Sequence, residues 1–158
     1  MSSPSSTVGS VVSGWVACGF DDVTLLIPLE DAGARVDFDE LEPADESDLC
    51  AGMLRWRDER WPAYRLDREL APVPRPAVPS AAVLPVYAHG EARGIVCDRI
   101  RTFEHPVAVS LHPMPGCLRQ KSSPVIALGL YETLRVGLVV RADGIIRHLD
   151  TMIGGRGR

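Results

Sequence analysis

Short runs of β-branched, aromatic and aliphatic residues follow one another along this chain, divided by turn signals at intervals of about ten residues, and helical periodicity is almost absent. That punctuation is the strongest constraint on the fold. Strands of this length cannot bury both faces alone, so they must assemble into sheets, and the pattern predicts an all-β sandwich or barrel with little helix.

Gly14 to Phe20 and Val23 to Pro28 form the first predicted hairpin, around Asp21-Asp22, because aspartate tolerates the dihedrals of a tight turn. Leu29 to Val36, interrupted by Gly33, is assigned to an edge strand, with one loose helical turn as its other reading. The acidic stretch Asp37 to Asp48 lacks the ligand spacing and bend glycine of a calcium loop and is expected to be a solvated surface loop. Gly52 to Leu66 is the central hairpin. Its arms are apolar and aromatic, its tip is Arg57-Asp58-Glu59-Arg60, and Pro62 places its second arm at an edge or turns that position away from a neighbour. Strand alternation puts Met53, Arg55 and Arg57 on one face, with the two arginines side by side.

Four prolines between Pro72 and Pro79 make a stiff extended connection, with a polyproline ligand as the sharper reading. Beyond it the opening plan repeats: Ala81 to Ala88, a turn at His89-Gly90-Glu91, then Ala92 to Phe103. Glu104 to Ser123 is a long irregular excursion. Pro124 to Leu130 and Leu134 to Val140 form a last hairpin, and Asp143 to Leu149 either starts a short helix or adds an edge strand. The repeated plan predicts two small barrels sharing one interface inside a unit spanning 13–152. The first covers about 14–70, the proline-rich crossing 71–80 and the second about 81–149, with a disordered 1–12 and a flexible tail at 153–158.

A net charge of −4 on 158 residues disfavours nucleic acid as a partner, since phosphate binding needs a concentrated basic face. No apolar run approaches the ~18–20 residues that span a bilayer, and Met1 to Thr7 has no basic residue of a signal peptide, so a cytoplasmic protein without membrane insertion is expected. Cys18, Cys50, Cys97 and Cys117 show no Cys-x-x-Cys pair and no metal spacing. They are assigned as small apolar residues in a reducing compartment, with a structural disulfide as the second reading. No metal or cofactor is expected.

Catalytic signatures are missing. There is no nucleophile elbow, no paired-histidine zinc motif and no phosphate-binding glycine loop, and His89, His105, His112 and His148 have no partner spacing. What stands out is arginine among large aromatics: Arg55, Arg57, Arg60 and Arg65 beside Trp56, Trp61 and Tyr64. Such a cluster is either a self-neutralising, solvated turn or the composition enriched at interface hot spots.

The same central hairpin resembles that of the CheW-like coupling proteins of bacterial chemotaxis, whose pattern runs Gly-Leu-Ile-Asn-Leu-Arg-Gly-X-Ile-Ile-Pro-Val-Ile-Asp-Leu. Leu25 to Leu29 is similar to that family's first-barrel strand, Gly94 to Ile100 to its Gly-Leu-Leu-Val-Asp-X-Val strand, and Ile126 to Leu130 to its late Ile-X-Gly-Val strand. The resemblance covers nearly everything from about Gly14 to Leu149. The resemblance implies two five-stranded β-barrels and a non-enzymatic adaptor between a chemoreceptor signalling tip, or an equivalent sensor, and the regulatory domain of a CheA-like histidine kinase, in chemotaxis or pilus-type motility. It implies partner-binding residues at Arg55, Arg57, Arg60 and Trp56 with the Ala32-Gly33 edge, Arg57 standing at the family's receptor-facing arginine. Arg55, Asp58 and Arg65 depart from the pattern, which has Asn, Gly and Asp there. The alternative from another class is a ligand-binding barrel or small enzyme using the 104–123 loop, with His112, Cys117 or Arg119 converging on a pocket.

Overall fold

The computed structural model describes residues 14–44, 49–74, 81–103, 109–115, 123–132 and 135–156. The N-terminal 1–12 segment, most of the proline-rich crossing and of the 104–123 loop, and Cys117 and Arg119 lie outside the described residues. Strands β1 (Trp15–Phe20), β2 (Val23–Pro28), β3 (Val36–Asp37), β4 (Cys50–Trp56), β5 (Glu59–Tyr64), β6 (Ala82–Ala88) and β7 (Glu91–Cys97) are followed by β8 (Arg99–Phe103), β9 (Ser110–His112), β10 (Ala127–Tyr131) and β11 (Arg135–Val139). One helix, α1 (Ala142–Arg156), closes the order.

Two curled sheets result. One has six strands in the order β8-β1-β2-β11-β10-β9, the other five in the order β3-β6-β7-β5-β4. The predicted hairpins β1–β2, β4–β5, β6–β7 and β10–β11 are all antiparallel pairs. The sheets do not divide at the proline-rich crossing, however. β1 and β2 join the chain's last strands, through β1–β8 and a parallel β2–β11 pairing, while β6 and β7 join β3 to β5, through β3–β6 and a parallel β5–β7 pairing. The expected halves 14–70 and 81–149 therefore each contribute to both sheets. Turn chemistry fixes a hairpin locally, whereas the choice of which hairpins meet is made by long-range burial. The six-stranded sheet also exceeds the expected five because of the three-residue β9.

Three apolar clusters explain the assembly. Trp15, Ala17, Leu26, Phe103, Tyr131 and Val139 fill the six-stranded sheet, and Leu54, Ala63, Ala81, Val83 and Val96 fill the five-stranded one. The largest cluster lies between the sheets: Val16, Cys18, Phe20, Leu25 and Ile27 from one, Tyr64, Leu84, Val86 and Ile95 from the other, and Ile145, Ile146 and Leu149 from α1. Strand alternation accounts for this division, since Val16, Cys18 and Phe20 face the seam while Trp15 and Ala17 face their own sheet's interior. All six residues of β1 are buried as a result. In β7, Gly94 allows the close packing of the five-stranded sheet, because a Cβ there would come within 2.6 Å of Leu54 and 2.7 Å of Val83.

At two places where the sequence left strand and helix open, the structure takes the helical reading. Leu29–Asp31 is a 3₁₀ turn, and the edge pairing is confined to Val36–Asp37 and a bridge from Ala32 to Val86. Residues 143–149 belong to a 15-residue helix that runs through Gly154 to Arg156, part of the expected flexible tail. Ala142, Ile145, Ile146 and Leu149 share one helical face and are buried together, which holds the helix despite its terminal glycines. The Asp31 carboxylate caps it, accepting from the Ala142 backbone N–H at 2.9 Å and from Arg141 Nε at 2.9 Å.

Two arginines buried here are held by carboxylates. Arg65, 4% exposed, donates from Nη1 at 2.7 Å and from Nη2 at 3.3 Å to the Asp98 carboxylate, and Asp21 stands at 3.7 Å. Arg93, 7% exposed, donates to Asp150 of α1 and to Glu91, each at 2.9 Å, and lies over the Trp61 ring. Cys18 of β1 and Cys97 of β7 are joined in a disulfide, so for these two the reduced-thiol assignment gives way to the structural one. Both sulfurs lie on the seam-facing side of their strands, where alternation brings them together.

The Arg65 hydrogen bonds hold the Asp98 carboxyl below its ordinary value of 3.8. A depressed folded-state value means that the contribution is full above the ordinary value and is lost as pH falls through the folded one. Asp98→Asn should therefore cost about 2–4 kcal/mol in denaturant unfolding at neutral pH, by leaving a buried guanidinium underpaired. The gap between the two proteins should shrink below about pH 4; a gap undiminished there would show that the carboxylate charge is not what stabilises the seam.

Candidate partner-binding site

The central hairpin β4–β5 forms one edge of the five-stranded sheet, so its outer strand and tip face solvent. Trp56 pairs with Glu59 across a two-residue loop, Arg57-Asp58, and both loop residues have positive φ, at 53° and 64°. That is the type I′ pattern, which matches the twist of the strands but is normally served by Asn-Gly or Gly-Gly. Asp58 adopts the left-handed conformation that the family pattern assigns to glycine. Because Arg57 turns with the loop, it does not continue the face of Arg55, and the two are not side by side as alternation implies.

Arg55 and Arg60 face each other across the hairpin. Directly opposed like charges repel, and Glu42, brought alongside by its bridge to Met53, resolves this by contacting Arg55 Nε at 3.1 Å and Arg60 Nε at 2.7 Å. These exposed pairs are worth less than about 1 kcal/mol each, but the shared carboxylate offsets part of the repulsion between the two arginines. Glu42 belongs to the acidic stretch expected to be merely solvated. Elsewhere in that stretch Asp37 and Glu40 form a reciprocal cap on the short 3₁₀ turn Phe38–Glu40.

Arg57 has a different surrounding. Its guanidinium lies 4.6 Å from the centroid of Trp56, and Trp56 in turn stacks on Tyr87 of β6, with centroids 5.1 Å apart and planes at 19°. Gly33 sits beside this stack: a Cβ there would be 3.3 Å from Pro85 and 3.5 Å from Tyr87, and its N–H donates to the Pro85 carbonyl at 2.8 Å. The exposed surface is therefore Arg57, half-buried Trp56 and Tyr87, and the bare backbone of Gly33. Ala32 is 8% exposed and packs into the seam, so its side chain is interior and not available for contact. Tyr87 is the member that sequence reasoning missed, because it lies far along the chain and reaches Trp56 only through the pairing of β6 and β7 with β5.

The remaining arginines and aromatics of the cluster are structural. Arg65 and Tyr64 are buried, and burial pushes the Tyr64 hydroxyl above its ordinary value of 10.0. Trp61 sits against Arg93. As for catalysis, His112 of β9 contacts Ser110 at 2.9 Å and His148 of α1 contacts the Leu70 carbonyl at 2.8 Å, and these two residues lie on different elements. Two clefts of about 390 and 320 Å³ run along α1, and His112 lines neither. Among the described residues no group of three or more His, Cys, Asp or Glu could hold a metal ion.

No known family model matches the sequence, and no curated protein sequence is similar to it. Comparison of structures is informative. The scaffolding protein TtCheW from Thermoanaerobacter tengcongensis superposes with a TM-score of 0.63 over 82% of this chain and 89% of that one, at 13% identity. The fold is CheW-like. The low identity agrees with the departures from the resembled pattern at Arg55, Asp58 and Arg65.

A left-handed aspartate in the turn carries a strain that glycine would not, so Asp58→Gly should raise stability by about 0.5–1 kcal/mol. In thermal unfolding this is a rise of roughly 1–4 °C, and no rise would mean that the loop relaxes out of the type I′ conformation.

Proposed function

We propose that this protein is a non-enzymatic scaffold that couples a chemoreceptor signalling tip, or an equivalent sensory protein, to the regulatory domain of a CheA-like histidine kinase in chemotaxis or pilus-type motility signalling. The observation that carries the reading is the exposed Arg57–Trp56–Tyr87 stack at the sheet edge of a CheW-like fold. An aromatic pair with a guanidinium above it offers planar, pre-ordered area together with donors for a carboxylate, the combination found at interface hot spots. Arg55 and Arg60 already share Glu42, so Arg57 with Trp56, Tyr87 and Gly33 is the part of the cluster that meets a partner. Coupling then consists of holding two proteins in fixed geometry on one rigid body.

Among the described residues no helix is long and apolar enough to cross a membrane, which agrees with work beside cytoplasmic kinases. The charge of −4 supports protein rather than nucleic-acid partners.

Titration calorimetry against the receptor tip and the kinase regulatory domain from the same genome tests the reading. Arg57→Glu should weaken one of these interactions at least tenfold while leaving the unfolding midpoint within a few degrees, because exposed charge changes alter stability little. Arg55→Ala should leave both affinities within about threefold. Saturable binding to neither protein would remove the adaptor reading, and equal effects of the two substitutions would remove the special place of Arg57.

A further inference from the structure

Among the described residues, three directed ties between the two sheets converge at one point. The chain passes from the five-stranded to the six-stranded sheet at Asp98, between β7 and β8. There the Asp98 N–H donates to Gly19 O of β1 at 2.8 Å, its carboxylate receives Arg65 from the end of β5, and the preceding residue, Cys97, is bonded to Cys18 of β1. Both cysteines are 0% exposed and belong to the shared cluster. Most of the shared layer is apolar burial, which is non-directional. A covalent bond across 79 residues of chain is a different kind of tie, because it fixes one point of each sheet.

We propose that the Cys18–Cys97 disulfide is a redox-controlled brace that sets the position of one sheet against the other. Two features make it a switch as well as a staple. Reduced, the two thiols still fill the same apolar volume as small hydrophobes, so the fold persists without the bond. In addition, a disulfide in a protein working beside cytoplasmic kinases belongs to a class that is rare as structure and common as redox sensing; this step rests on the adaptor reading. The reaction is thiol–disulfide exchange with a dithiol reductant. A reductant thiolate attacks one sulfur, the S–S bond breaks and a mixed disulfide forms, and the reductant's second thiol then releases the protein. Two electrons and two protons enter the protein as two thiols, and the reductant leaves as its own disulfide. Because both sulfurs are enclosed, attack waits on opening of the seam, so exchange is slow in the native state and quickened by sub-denaturing urea. On the adaptor reading, releasing the brace changes the geometry in which two partners are held.

The experiment uses the full chain, purified without reductant. Peptide mapping under non-reducing conditions should give a linked pair containing Cys18 and Cys97, and finding both residues as free thiols overturns the proposal. Treatment with dithiothreitol should lower the unfolding midpoint by roughly 5–15 °C with the strand content retained, and should speed amide exchange in β1 and β7 relative to β4 and β10. A Cys18→Ala/Cys97→Ala variant should show the lowered midpoint and no response to dithiothreitol. A midpoint and exchange pattern indifferent to reduction, or faster exchange spread evenly over both sheets, overturns the brace. Affinity for the kinase regulatory domain, measured in both redox states, separates the two readings. A change on reduction in the wild type alone supports the switch, an unchanged affinity overturns its regulatory part, and absence of binding in either state overturns the adaptor reading while the midpoint and exchange data still decide the brace.

Discussion

The apolar layer shared by the two sheets is the constraint on which the rest of the molecule depends. It requires β1 to be buried on both faces, since one set of its alternating side chains fills its own sheet and the other set fills the seam. A strand of that kind tolerates no charge along its length, and it has none from Trp15 to Phe20. α1 then covers the remaining open side of the same layer with Ile145, Ile146 and Leu149. Surface capable of recognition is thereby pushed to the sheet edges, and β4, at the end of the five-stranded order, is where the hairpin tip projects.

Charge is admitted to the interior under strict terms. Arg65 and Arg93 are both nearly inaccessible, and each meets two carboxylates. A buried guanidinium is costly unless its donors are satisfied, and even here Arg65 Nε lacks a hydrogen-bond partner. Each pairing joins elements that apolar contact alone would leave free to slide: Arg65 binds the end of β5 to the crossing between the sheets, and Arg93 binds β7 to α1. The departure from the resembled pattern at Arg65 is thus answered inside the molecule by Asp98 and Asp21.

The hairpins were legible in the sequence because a hairpin is written locally, in two apolar runs and a turn. Asp21-Asp22, Arg57-Asp58 and His89-Gly90 all mark turns where the strands do reverse. The sheets were not legible in the same way. Nothing near Val23 to Pro28 announces that it lies parallel to β11, more than a hundred residues later, and the proline-rich crossing looks like a boundary because composition changes there. The helix was half legible: its apolar spacing is present from Ala142, but Gly144 and the terminal glycines weaken it. At the candidate site, Arg57 and Trp56 stand out in composition and in the resembled pattern, whereas Tyr87 and the bridging role of Glu42 arise only once β6 and the acidic stretch fold against the hairpin.

Glu42 also bears on what an arginine cluster means. Counted in sequence, Arg55, Arg57 and Arg60 are three equivalent cations on one hairpin. Folded, the type I′ turn divides them. Arg55 and Arg60 oppose each other and share one carboxylate, which engages both of them, while Arg57, rotated by its positive φ, is carried away from that carboxylate and onto the Trp56 ring. Resting on an aromatic face restricts the guanidinium without consuming its donors, so on the proposed adaptor reading less order has to be imposed when a partner carboxylate arrives. Backbone conformation at two residues thus converts a diffuse positive patch into one directed cation beside two stacked rings, and the selectivity of such a surface rests on the turn as much as on the charge.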